Sequence, residues 1–337
     1  EEYEGDFDSA EQIVAKGELF DTDGNIYRYT ANLTGLTPNT KYVYRVGRDG
    51  SWSEPASFTT AADTECFSFL YMGDVQSGYE AWGDMLDSAY EACPEIRFAL
   101  LGGDLTDKGH DKNEWMEFLD AAKRVFCQIP VMPTMGNHDG AMYLKFFELP
   151  DNGPSGLKKE FYSFDYGNAH FVILNSNNNT SAAVKQWLQQ DLAETDKKWK
   201  FVMFHHPAYP VVFDHKGIDK SIRENWVPIL EEKGVDMVFV GHQHVYMRTH
   251  PILQGEVKSD SYGIVYVMGN AGSKTYVGGG GFPYIAKERT GSNYQVISIN
   301  GDVLTLTAKD ASGELIETFT IDKSAEVQPE KPKYSLI

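Results

Sequence analysis

The sequence predicts an α/β protein, a four-layer αββα sandwich, preceded by a small, partial all-β sandwich. Three observations carry this. Residues 1–62 alternate polar and apolar with period two between turn clusters. From residue 63, apolar strand-like runs alternate with segments of helical spacing. Towards residue 322 the chain returns to strands separated by Gly and Asp turns, which read as antiparallel. Residues 323–337 are rich in Glu, Pro and Lys and read as a linker or tail.

In the first segment, 27–33 alternates, Thr34-Gly-Leu-Thr-Pro-Asn-Thr40 is a turn cluster, and Tyr42-Val-Tyr-Arg-Val46 alternates again. Gly50-Ser-Trp-Ser53 turns the chain into a last short strand over 56–60. In the second segment, strands are predicted over 67–72, 96–101 and 129–132, a hairpin over 161–166 and 170–174, and strands over 200–204 and 235–240. Helical spacing covers 79–92, 113–126, 182–192 and 221–233; Trp115, Phe118, Leu119 and Ala122 share one face of the second. The last four strands, 263–268, 294–299, 303–308 and 315–321, are expected to be antiparallel.

The net charge of −19 disfavours polyanionic partners, so neither a nucleic acid polymer nor an anionic membrane surface is expected. No run of eighteen apolar residues occurs, so no membrane span is expected. The sequence opens on Glu1-Glu2-Tyr3, with no initiator Met and no signal peptide, either of which can be removed by processing. Cys66, Cys93 and Cys127 are an odd number and are expected as buried small hydrophobes.

The chemistry lies in five short blocks: Gly73-Asp74-Val-Gln76, Gly103-Asp104-Leu-Thr-Asp107, Gly136-Asn137-His138-Asp139, Phe204-His205-His206-Pro207 and Gly241-His242-Gln243-His244. Taken singly they are weak, since Asp is a common turn residue and a lone His is usually a packed one. Together they are strong. Nearly every block follows an apolar strand, and ligands of α/β sheets bind at such ends. His-x-His on extended chain puts both imidazoles on one side. Carboxylates, an amide and imidazoles without a thiolate suit hard or borderline divalent metals.

The five blocks in this order resemble the calcineurin-like metallophosphoesterase superfamily over about residues 66–321. Residues 35–46 resemble part of a fibronectin type III domain, and with Gly241-His-Gln-His-Val-Tyr-Met-Arg248 the likeness is to the purple acid phosphatase branch. The resemblance implies two divalent metal ions, Fe, Zn or Mn, roughly 3.5–4 Å apart and sharing a hydroxide. It implies that Asp104 bridges them, that Asp74 and His244 bind the first, and that Asn137, His205 and His242 bind the second. It implies hydrolysis of small phosphorylated substrates, phosphate monoesters first, with a phosphodiesterase or nucleotide pyrophosphatase as the alternative and an inactive binding module as the remaining one. By analogy with the branch, the protein is expected to be extracytoplasmic and bacterial.

Two departures matter. The purple enzymes carry an iron-binding Tyr where this chain has Asp107, so a colourless site is expected, with the Asp107 carboxylate orienting and charging His138 as general acid. Gln76 stands where many relatives have a metal-binding His, and its amide is either a ligand or an outer partner. His215 is expected to face substrate, with Tyr209 and Asp214 on the same loop. His206 directly follows a ligand, so it is expected to point away, as a packed histidine or one that supports the ligands from outside. His110 and His170 are expected to be structural, and Arg248 to brace the site. Asn175-Ser-Asn-Asn-Asn-Thr180 and Gly278–Gly281 are expected to be loops, the first on the side of the blocks and the second as a rim.

Overall fold

Among the described residues the strands of the first segment pair with one another. In the computed structural model, which describes residues 7–21, 26–157, 159–212, 217–258, 262–279 and 281–324, they form three antiparallel pairs. β1 (Lys16–Asp21) pairs with β2 (Ile26–Thr30), β3 (Lys41–Tyr44) with β6 (Ala56–Thr59), and β4 (Gly47–Arg48) with β5 (Ser51–Trp52). They dock on the rest of the chain through Arg28, which donates to the carbonyls of Phe147 (2.9 Å) and Lys145 (3.2 Å) and pairs with Glu148 (2.8 Å).

A six-stranded sheet in the order β21-β20-β19-β7-β8-β9 follows. Its members are β7 (Cys66–Met72), β8 (Ile96–Leu101), β9 (Val131–Pro133), β19 (Asn293–Asn300), β20 (Val303–Asp310) and β21 (Leu315–Asp322). β7, β8 and β9 run parallel, and β19, β20 and β21 are antiparallel to their neighbours. The second sheet has seven strands in the order β10-β11-β12-β13-β17-β14-β18. These are β10 (Tyr162–Tyr166), β11 (Ala169–Ile173), β12 (Trp199–Met203), β13 (Met237–Val240), β14 (Tyr246–Thr249), β17 (Val265–Met268) and β18 (Ile285–Arg289). β15 (Ile252–Leu253) and β16 (Glu256–Val257) form a small separate hairpin.

Strand parity builds the layers. In β11, β12, β13 and β17, Phe171, Phe201, Phe239 and Val267 face one core, and their neighbours Val172, Val202, Val238 and Tyr266 face another. The first core lies between the sheets and centres on Phe69, whose ring is 5.2 Å from those of Phe98 and Phe171 and 5.5 Å from that of Phe201. It continues through β7 to α1 (Tyr79–Ala92) and α2 (Lys112–Phe126), where Trp82 donates to the Met72 sulfur. The second core is covered by α4 (Ala182–Glu194), α5 (Ile218–Asn225) and α6 (Val227–Glu232). A single turn, α3 (Tyr143–Phe146), follows the third block. The order is therefore helix, sheet, sheet, helix, as expected.

Four expectations need correction. The helix over 221–233 is two helices meeting at Trp226, because Pro228 has no N–H for the carbonyl of residue 224 and its ring crowds that turn. The strand over 263–268 is antiparallel to β14 but parallel to β13, in the other sheet from the final three strands. β14 and β18 escaped the pattern because the fifth block and the Gly-rich loop hide short strands beside them. The cysteines are thiols, but Cys66 is exposed and Cys93 and Cys127 half-buried. The His170 expectation holds: it sits between Asp165 (2.6 Å) and Asp191 (2.9 Å). Arg248 forms a two-point ion pair with Glu317 (3.0 and 2.8 Å), tying β14 to β21 across the two sheets. Gly280, and the chain from 325 on, lie outside the described residues.

Phe69 is fully buried at the sheet interface. Phe69→Ala is expected to lower unfolding free energy by about 3–5 kcal/mol in urea or thermal melts.

Candidate metal centre

Each block leaves its strand through a tight turn. Asp74 follows β7, Asp104 follows β8, and Asn137 and His138 follow β9; His205 follows β12, and His242 and His244 follow β13. Asp74, Asp104, His242 and His244 have φ of 46°, 49°, 75° and 47°. Left-handed backbone at a non-Gly residue costs about 1–3 kcal/mol and collects at functional sites. The preceding glycines permit close approach. A Cβ on Gly136 would lie 2.1 Å from the Asp104 backbone N, and one on Gly241 would lie 2.4 Å from Asp74 Oδ2.

The turns hold one another. The His242 N–H donates to both oxygens of Asp74 (2.9 and 2.7 Å), and the His138 N–H donates to Asp104 Oδ1 (2.9 Å). Asp104 Oδ2 lies 3.5 Å from Gln76 Nε2 on one side and 3.2 Å from His205 Nε2 on the other. His205 Nε2 is also 3.1 Å from Asn137 Oδ1. On the Gln76 side, His244 Nε2 is 3.1 Å from Gln76 Nε2 and 3.9 Å from Asp74 Oδ1. Outer oxygens set the imidazoles: His205 Nδ1 donates to the Gly102 carbonyl (2.9 Å) and His244 Nδ1 faces Asn270 Oδ1 (3.3 Å), which directs each Nε2 inward.

The electrostatics are those of crowded, buried carboxylates. Burial pushes Asp74 well above the usual carboxylate range, with Asp104 and Asp139 adding to it and His205 opposing. Asp139 rises for the same reasons. Burial would also raise Asp104, but His205 and the His138 N–H outweigh it and hold it low. Burial would lower the His205 imidazole, yet Asp104 and Asp74 hold it up at about 9. His244 is pushed down to about 4 by burial and by Lys274. Two groups of donor atoms lie within 4.8 Å of one another, Asp74 with Asp104 and His205, and His205 with His206 and His242.

This donor set fits a pair of divalent cations. It offers anionic oxygens and inward Nε2 atoms, and the carboxylates repel each other without a cation. Among the described residues the buried Oε1 of Gln76 has no hydrogen-bond partner, an orphan acceptor that an ion would satisfy once the amide turns.

The family description Calcineurin-like phosphoesterase matches residues 67–246, over half of the 337-residue chain. The chain belongs to this family. A second description, Purple acid Phosphatase, N-terminal domain, matches residues 3–60. The chain is 29% identical over 278 residues to an uncharacterized protein of Mycobacterium tuberculosis, covering 68% of this chain and 52% of that protein. It is 30% identical over 274 residues to purple acid phosphatase 21 of Arabidopsis thaliana, covering 76% and 60%. The chain thus spans between half and two thirds of the length of these relatives. Its fold matches that of purple acid phosphatase PPD1 from yellow lupin with a TM-score of 0.81 at 17% identity, covering 96% of this chain and 70% of that one.

Three expectations from the sequence fare differently. His215 and Asp214 lie outside the described residues. Asp107 reaches His138 with its backbone: His138 Nδ1 donates to the Asp107 carbonyl (2.8 Å), while the carboxylate is 3.7 Å away and partly exposed, where solvent screens it. His206 is packed, as expected, but it does not point away; it is buried beside His205 and His242, because the chain bends after β12.

Several supporting residues escaped the sequence reading. Buried Asp139 accepts from the N–H groups of Leu105 (2.7 Å), Thr106 (3.2 Å) and Gly136 (2.7 Å), locking the second block to the third. Gln243 faces away from the centre and accepts from Val211 (2.7 Å) and Val212 (3.0 Å). Asn177 donates to the Gly136 carbonyl (3.0 Å), which puts the Asn-rich loop to use. Asn270 had a signal: Met268-Gly269-Asn270 ends β17 as the blocks end theirs.

Asp104 faces both halves of the centre. Asp104→Ala is expected to abolish binding of both metals, measured as metal equivalents after dialysis. Retention of two equivalents would reject the bridging role.

Proposed function

We propose that the chain is a dinuclear metallophosphoesterase that hydrolyses phosphate monoesters. One observation carries this reading: donors from the edges of both sheets converge on Asp104, whose carboxylate lies between Gln76 and His205. Two divalent cations, when bound, supply an activated water for in-line attack on phosphorus and neutralise the charge that develops there. Asp74, His244 and the Gln76 amide oxygen hold the first, Asn137, His205 and His242 hold the second, and Asp104 is shared.

His138 gives the proton to the leaving oxygen. Its Nδ1 is tied to the Asp107 carbonyl, so the proton leaves from Nε2. The Asp107 carboxylate lies 3.7 Å from the same nitrogen. His215 assists from the 213–216 loop, a role that rests on its sequence position alone. Without a Tyr at 107 the metal set is Fe, Zn or Mn in a colourless form.

The rival is a phosphodiesterase or nucleotide pyrophosphatase on the same donors. A binding role on this fold also has a precedent in shape, GAP50, titled the anchor in the inner membrane complex of Plasmodium (TM-score 0.62, 13% identity). The division into 1–62, 63–322 and 323–337 belongs to the same reading. So does an extracytoplasmic, bacterial setting, which fractionation of the source cells tests. Among the described residues no helix is long and apolar enough to cross a membrane.

His138→Ala is expected to keep both metals and to lose roughly 10²–10⁴-fold in kcat on an ester with a poor leaving group. Full activity of that variant would remove His138 from the proton step. The wild-type enzyme, loaded with Mn, Zn or Fe, is expected to be colourless and to prefer a monoester over a diester or a nucleoside triphosphate. A purple preparation, or the reverse preference, would overturn the metal or the substrate assignment respectively.

A further inference from the structure

His206 occupies a place its sequence position does not forecast. Side chains alternate along a strand, so a residue beside a donor belongs on the opposite face. But β12 ends at Met203, and the chain bends through His205 and His206. The bend brings both imidazoles together. One ligand atom each from His205, His206 and His242 lies within 4.8 Å of the others. The His206 ring centroid is 4.5 Å from that of His242 and 5.0 Å from that of His205. Nitrogens about 2.0–2.1 Å from a single ion lie no more than about 4.2 Å apart, so only a small closure separates this cluster from a bound geometry.

Ser176 is a second, separate observation. Its Oγ accepts from the His206 backbone N–H (3.0 Å) and pairs with Nδ1 at 2.8 Å. The Gly102 carbonyl and Asn270 hold Nδ1 of His205 and His244 in the same manner. An oxygen on Nδ1 directs Nε2 to a metal and raises its basicity. His206 is also only 3% exposed, so burial and the neighbouring rings fix where it can turn.

We propose that His206 is a further ligand of the second metal, through Nε2, with Ser176 as its outer oxygen. This rests on the dinuclear reading. It gives that half of the centre three imidazoles beside Asn137 and the shared Asp104. The first metal keeps one imidazole, from His244.

The test counts imidazoles on the metal. Protein labelled with nitrogen-15 at its histidines is loaded with cadmium, and metal–nitrogen couplings are read by NMR. Four coupled imidazoles are expected, from His205, His206, His242 and His244, and three in His206→Gln. The variant is also expected to bind one cadmium equivalent about 10–100-fold more weakly, and Ser176→Ala to weaken the same equivalent in the same range. Three imidazoles in the wild type, or four in the variant, overturns the role of His206 and leaves the dinuclear centre standing. The wild-type count needs no variant to fold. Wild-type protein that takes up no cadmium overturns the centre itself, and this role with it.

Discussion

Three buried carboxylates at one spot are the constraint on which the structure turns. Asp74, Asp104 and Asp139 are all nearly or fully buried, and desolvation works against the charged form of each. A folded protein concentrates like charges this way only where something compensates. Part of the compensation is local: backbone N–H groups of Leu105, Gly136, His138 and His242 donate to these oxygens. Those donors are aimed by left-handed turns at Asp74, Asp104 and His242, and the turns cost conformational energy of their own. The remaining imbalance is what divalent cations would satisfy.

The site is also a seam. Asp74, Asp104 and Asn137 come from one sheet, and His205, His242 and His244 from the other. Their spacing is therefore set by how the two sheets pack, not by either sheet alone. Close-packed interiors deform little, which suits donors that must hold position. Phe69 and the rings around it fix the sheet separation, and Tyr71 on β7 donates across the gap to the Val240 carbonyl at the end of β13. Metals bound at the seam would join the two sheets, so ion binding and sheet packing support each other.

Much of this was legible in the sequence, because the signals were local. An apolar run ending in Gly and a polar residue marks where a parallel strand stops, and this located the donors on β7, β8, β12 and β13. The helices α1 and α4 began where spacing put them. What escaped was set by tertiary context. Whether the strand at 265–268 runs parallel or antiparallel depends on its neighbours β13 and β14, which the chain reaches by different routes. The direction of His206 depends on a bend that begins two residues past the end of β12, where alternation ceases to apply. The bond on His138 goes to a carbonyl, and no sequence pattern advertises a backbone acceptor. Asp139 looked like one more polar residue of its block, yet burial makes it the brace between two turns.

The charge of the surroundings decides where phosphoryl affinity has to come from. A groove of about 710 Å³ between α1 and α2, which includes Asp107, is lined with carboxylates, among them Glu80, Asp84, Glu114 and Glu117. Arg124 lies nearby but is engaged with Asp87 and Glu91. An anionic ester approaching across this groove meets like charge, and with a net charge of −19 the wider surface does not draw it in. Long-range steering therefore works against the substrate class proposed here. On the proposed function, recognition of the phosphoryl group would fall to short-range contacts at the seam, where cations held by Asp74, Asp104 and the imidazoles would act at low dielectric.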